Sequence, residues 1–276
     1  MSAETGTDTQ DPGEKLRLGG MALRNGLLVH GPSHWAAAVR RDDGSIAVAS
    51  GVKPRLQGRI ESVPGARGVV RLGEAMLVIP LVKRALPEAR LPFQDRTTLG
   101  AMAATAGAAQ LVRRRLRGAG GEAAIAVLSL APSLLALRTG DLAAYHGVEH
   151  KAIAAYEQDE DDAADVAKEH DRCGSHLMAP LLTANVAGSA LLRKLVERPG
   201  PAHGAALSLA SIGVAVEVFA WSERHADSAT TRVLRKPGYE LQRLLGTREP
   251  TATQLEVGEA ALAEILRVEG APVPVG

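Results

Sequence analysis

Within the stretch LAAYHGVEHKAIAAYEQ (142–158), His146 and His150 stand four residues apart, with Glu149 immediately before the second histidine. On a helix, residues i and i+4 share a face, so both imidazoles can reach one ion. Glu149 sits one step back from that face, where it could take a proton from a water polarised by the ion. The order H-x-x-E-H reverses the H-E-x-x-H arrangement of zinc hydrolases. An ion held this way lowers the pKa of water towards ~7 and makes hydroxide available at neutral pH. The plainer reading is three polar residues on an ordinary helix, because such short patterns recur by chance.

A second cluster follows. EHDRCGSH (169–176) sets His170 and Cys173 three apart and His176 three further on. Four of the eight histidines and the single cysteine thus fall between residues 146 and 176. A His/His pair completed by Cys173 or His170 suits zinc or another borderline divalent ion. Taken singly, Cys173 reads as a small buried residue at a helix entry, and His176 as a polar group at a helix start. The link EQDEDDAADVAKE (157–169) is long enough to fold one cluster back on the other. Without the glycine and spaced ligands of an EF-hand, it reads as a solvated loop and not a calcium site.

The elements that must position these residues are less sharply written. Hydrophobic residues make up 46% of the 276 residues but aromatics only 3%, a balance that suits closely packed Ala-rich helices in water or in a bilayer. A net charge of +1 and the absence of any base-reading motif argue against nucleic acid as a partner. The polar start MSAETGTDTQDPGEKLRLGG has no apolar core, so no cleavable signal peptide is expected, and residues 1–18 read as a disordered tail. Residues 19–92 read as a small α+β domain. In it, GGMALRNGLLVHGP and WAAAVRRDDGSIAVAS are broken by Gly, Asp43-Gly44 marks a hairpin, and helical spacing begins at residue 63.

Four apolar segments follow, at 97–112, 123–137, 174–192 and 199–222, the last with Glu217 as its one full charge. The last two reach the ~20 residues that a spanning helix needs, and the first two fall short. Basic residues flank both ends of the segments, so orientation is not fixed by charge. A carboxylate at position 217 would be costly in hydrocarbon unless buried or paired. Beyond them, KPGYELQRLLGTREP (236–250) suggests a Pro-Gly turn and a short helix. TATQLEVGEAALAEILRVEG (251–270) suggests a terminal docking helix capped by Thr253, with Val257, Ala261, Ile265 and Val268 on one stripe.

YHGVEHKAIAAYE, then HDRCGS, GVAVEVFAW and KPGYELQRLLGTREP closely resemble, in the same order, the YqhQ-like family of bacterial multi-spanning membrane proteins described as predicted metal-dependent enzymes. The family's His-Gly-x-Glu-His-Lys motif falls on His146, Gly147, Glu149, His150 and Lys151. Its Arg-Cys-Gly motif with the preceding histidine falls on His170, Arg172, Cys173 and Gly174, and its glutamate in the last apolar helix on Glu217. The resemblance implies about four membrane spans. Where the family has Gly-Gly-Gln-Ala-x-x-Glu-Gly, this chain reads GGMALRNG, with Met21 and Asn25 replacing the Gln and Glu and altering whatever those side chains do.

The expected protein is mainly α. A small N-terminal α+β portion (19–92) is followed by an Ala-rich multi-helix membrane bundle of about four apolar segments (93–225) and a soluble helical segment (226–276). Its place is the cytoplasmic (cell) membrane, multi-pass, with the lipid bilayer as partner. His146, His150, Cys173 and His170 are the expected ligands of a divalent metal, zinc foremost, with Glu149 as general base for metal-assisted hydrolysis. The competing readings are a non-catalytic scaffold with a structural ion, and a transporter using Glu217 and the histidines. No inverted repeat supports the transporter.

Overall fold

The computed structural model describes residues 15–55, 66–116, 119–197 and 199–271. Most of the expected tail, residues 1–14, lies outside them. Residues 15–18 are part of the fold: the Lys15 ammonium donates to the carbonyls of Tyr156 (2.6 Å) and Glu157 (3.2 Å), and Leu18 is buried.

Four strands, β1 (Gly19–Leu23), β2 (Gly26–His30), β3 (His34–Arg40) and β4 (Ile46–Val52), form one antiparallel meander. The Asp43-Gly44 hairpin forms as expected, with Arg40 opposite Ile46. Alternation along the strands sends Leu27, Val29, Ala36 and Ala38 to one face, and Leu28, Trp35, Ala37 and Val39 to the other. Both faces are covered, which is why these strands read as apolar runs rather than alternating ones. One face packs on the second half of α1 (Ala66–Ala85) through Val78 and Val82. The other receives Tyr145, Val148 and Ile153 of α5 (Leu142–Gln158) and Val257, Ala261, Ile265 and Leu266 of α9 (Ala252–Glu269). The helix that closes the chain thus lies on its first strands. At its far end Glu269 accepts hydrogen bonds from the backbone N–H groups of Ser33 and His34 and from the Ser33 hydroxyl.

Between these elements run α2 (Arg96–Arg115), α3 (Ala119–Leu128), α4 (Ala131–Arg138), α6 (Met178–Leu195) and α7 (Pro201–Arg224), then α8 (Ala229–Leu241). Packing neighbours follow the order α1–α7–α6–α3–α2–α4, with α4 returning to α5. No residue of α6 is buried, and Leu99, Val127, Leu191, Leu195, Leu209 and Val214 are each more than half exposed. Among the described residues two stretches, Gly120–Arg138 and Ala202–Arg224, are long and apolar enough to cross a membrane, each with mean hydropathy 1.6. These correspond to the second and fourth apolar segments, not the last two. The third loses its first residues to a 3-10 turn at Gly174–Leu177. The first and third also end in Arg113–Arg115 and in Arg193 and Lys194, charges that pull down mean hydropathy.

Two local expectations are corrected. Pro237 and Gly238 do not make a turn: α8 runs through both, and a five-residue π turn, Gln242–Gly246, follows it. The reason is tertiary, since Gly238 is buried directly against His176. The cap of α9 is Thr251, not Thr253. Its side chain accepts the Gln254 N–H, while the Gln254 side chain accepts the N–H of Thr251, a reciprocal box.

Candidate metal centre

Helix α5 carries His146, Glu149, His150 and Lys151, and its residues from Leu142 to Ala155 are buried except half-buried His146. The helix can run this deep because its neighbours come close. A Cβ on Gly147 would stand 2.5 Å from the Arg248 carbonyl, so only glycine lets the 248–250 segment cross here. The Arg248 N–H in turn donates to the Ala143 carbonyl at 2.9 Å.

His146, His150 and Cys173 come together, with donor atoms all within 4.8 Å of one another. His146 Nε2 lies 3.4 Å from Cys173 Sγ. A tetrahedral zinc with Zn–N of ~2.0–2.1 Å and Zn–S of ~2.3 Å sets such atoms about 3.5 Å apart. The same separation suits a thiol–imidazole hydrogen bond. His150 separates the two possibilities. Its Nδ1 donates to the Lys168 carbonyl at 2.6 Å, which leaves the lone pair on Nε2, and that atom is buried with no hydrogen-bond partner among the described residues. A buried acceptor left unpaired costs about 1–3 kcal/mol, unless something absent from the polypeptide satisfies it. His146 is fixed the same way, its Nδ1 donating to the Gly246 carbonyl at 2.8 Å. Both imidazoles therefore keep a lone pair on Nε2, that of His146 3.4 Å from Cys173 Sγ, and each ring is held by a carbonyl behind it, as metal-binding histidines are. The donor set fits a borderline divalent ion.

Electrostatics agree with a desolvated pocket for neutral donors. Burial, aided by His146, pushes the His150 imidazole down to about 2, and burial pushes the Cys173 thiol up to about 11. Glu149 is buried beside them, and burial raises its carboxyl above the usual range while His146 and His170 pull the other way. Its side chain lies on Gly20 of β1, where a Cβ would stand 2.5 Å from the Glu149 Cγ. Gly20, at the start of the sheet, thus leaves room for the carboxylate.

His170 is placed differently. Its ring centre is 5.7 Å from that of His150, its Nδ1 accepts the Arg172 N–H at 3.1 Å, and its Nε2 lies 3.2 Å from Glu157. Arg172 is also paired with Glu157. Glu217 is half-buried on α7, outside the three-residue group. Asn25 has a structural part to play. Its amide nitrogen donates to the carbonyls of Arg40 and Glu88, and its oxygen accepts the Arg90 N–H.

Sequence reasoning missed two supporting roles. Lys151 is buried, and its ammonium donates to the carbonyls of Ala164 (2.9 Å) and Val166 (2.6 Å) and pairs with Glu249 at 2.7 Å. It clamps the acidic loop whose Lys168 carbonyl orients His150. Gln242, in the π turn, is fully buried and bonds to His170, Ser175 and His176. Lys151 stands in the His-Gly-x-Glu-His-Lys motif and Gln242 in KPGYELQRLLGTREP, but neither pattern shows what the side chain holds. A cleft of about 330 Å³ is lined by Lys15, Leu16, Arg17, Glu157 and Arg172.

Residues 138–268 match the family described as "Protein of unknown function (DUF1385)". The chain is also 30% identical over 135 residues to "Uncharacterized protein YqhQ" of Bacillus subtilis (strain 168), covering 45% of this chain and 40% of that protein. It thus spans less than half the length of the relative it matches. No solved structure matches.

Proposed function

We propose, from the match of residues 138–268 to the DUF1385 family and the likeness to YqhQ, that this is a YqhQ-like, membrane-embedded, metal-dependent enzyme whose ion is held by His146, His150 and Cys173. The observation that carries this reading is the buried, unpartnered Nε2 of His150, on a residue whose donor atom lies within 4.8 Å of those of His146 and Cys173. A divalent ion there, zinc foremost, would supply a Lewis acid and a low-pKa water. Three protein donors leave one position of a tetrahedral shell free, the arrangement of catalytic rather than closed structural sites. Glu149 is the general base in this reading, its carboxyl made more basic by burial, and the reaction class is metal-assisted hydrolysis. Two apolar stretches of spanning length and the exposed apolar side chains of α2, α3, α6 and α7 support placement in a bilayer.

The test is metal content of detergent-purified wild type, His146→Ala, His150→Ala, Cys173→Ala and Glu149→Gln by mass spectrometry. About one equivalent in wild type and Glu149→Gln, lost from the other three, is expected. A wild type that holds no metal after resupply ends the metalloenzyme reading.

A further inference from the structure

The π turn at Gln242–Gly246 reaches two of the three donors, by different routes. Its last carbonyl, on Gly246, takes the Nδ1 proton of His146. Its first side chain, Gln242, brackets Cys173 from both sides in sequence. Before the cysteine, Gln242 Oε1 accepts the His170 N–H at 2.8 Å, and Nε2 lies 3.2 Å from the His170 carbonyl. After it, the same Nε2 donates to the Ser175 hydroxyl at 2.8 Å and lies 3.2 Å from His176 Nε2. Gln242 is fully buried, and the Thr247 N–H and hydroxyl both donate to its own carbonyl, at 2.9 and 3.0 Å.

The 170–176 segment has little regular structure of its own with which to hold a thiol in place. Cys173 sits between a turn at Asp171–Arg172 and the short 3-10 turn that starts at Gly174. Its Sγ accepts the Ser175 N–H at 3.4 Å, and His176 Nε2 lies 3.3 Å from the His170 carbonyl, so its position depends on where the flanking peptides are fixed; Gln242 reaches those on both sides. We propose that Gln242 is the positioning residue of the metal centre, holding Cys173 Sγ at ligand distance from His146 Nε2 while its turn sets the tautomer of His146. This rests on the metal reading above, and it assigns to the 242–246 turn the control of metal affinity.

The experiment titrates Co²⁺ and Zn²⁺ into detergent-purified wild type, Gln242→Met and Ser175→Ala, following the thiolate-to-cobalt charge-transfer band and Zn²⁺ affinity against a chelator. Gln242→Met keeps the length and burial of the side chain and removes every hydrogen bond it makes. Ser175→Ala removes one of those bonds and is the milder perturbation. The expected result is a wild type with a clear charge-transfer band, a Gln242→Met protein with a weakened or shifted band and ~10–100-fold lower affinity, and a few-fold loss for Ser175→Ala. If Gln242→Met does not fold, the Ser175→Ala band and affinity decide. Full affinity and an unaltered band in the folded variants overturn the positioning role and leave the metal reading standing. A wild type without cobalt binding overturns the metal reading itself.

Discussion

The sheet with α5 and α9 and the array of α2, α3, α6 and α7 draw on the same Ala, Leu and Val, and dispose of them in opposite ways. In the first, Leu23, Leu27, Leu28, Val29, Val39, Val148, Val257, Ile265 and Leu266 are all sealed from solvent. In the second, α6 buries nothing, Leu195 is 74% exposed and Val127 67% exposed. Apolar side chains left on the outside of a helix array ask for an apolar surrounding; side chains sealed in a core do not. The His/Cys centre lies where the two meet. Its histidines are on the buried α5, and its cysteine is on the loop that runs into α6.

The largest test of this contrast is all-or-none. If the array faces lipid, the protein stays in the membrane fraction through an alkaline carbonate wash and leaves it only with detergent. Monodisperse protein in detergent-free buffer would break the comparison. The next test applies one substitution to both regions. Leu27→Ala empties a sealed site and should cost about 2–5 kcal/mol. Leu191→Ala, 57% exposed, should stay within ~0.5 kcal/mol. Denaturant unfolding in detergent compares them, and equal costs would mean that the array is packed as tightly as the sheet.

Much of the sheet was readable from its residues because local chemistry decides it. Asp43-Gly44 turns, β3 and β4 pair around it, and Val257, Ala261 and Ile265 fall on one stripe that the sheet covers. The helical spacing of His146 and His150 was equally open, since i and i+4 share a face. What no local pattern could show is set by distant partners. Gly238 serves His176, Gly147 serves Arg248, and Gly20 serves Glu149. His170 was indistinguishable from a ligand by spacing, and Glu157, thirteen residues earlier, is what engages it.

A third test uses acid. His30, on β2, is half-buried, and burial, aided by the Lys53 charge, lowers its imidazole from 6.5 to about 4. The folded state therefore resists a proton that the unfolded chain takes up readily. The contribution to stability is complete above pH 6.5, falls between pH 6.5 and 4, and is lost below. That window spans about 2.5 pH units, or on the order of 3 kcal/mol. A His30→Gln variant, neutral at every pH, should lose this share of the acid sensitivity in unfolding measured at pH 7 and 4.5. An undiminished slope would move the sensitivity to the histidines of the metal centre.

The smallest effect probes the seam between the chain's two ends. Thr251 caps α9, and losing such a cap typically costs about 1 kcal/mol. Just beyond it, Arg40 of β3 reaches the Thr253 carbonyl and pairs with Glu256, so fraying of the first turn also loosens β3. At the other end of α9, Glu269 still holds Ser33 and His34. Thr251→Ala should therefore speed amide exchange in the first turn of α9 and in β3, and leave exchange in α6 and α7 unchanged. Faster exchange in the array as well would mean that the two regions unfold as one cooperative unit, and that the contrast in their burial is not a contrast in their stability.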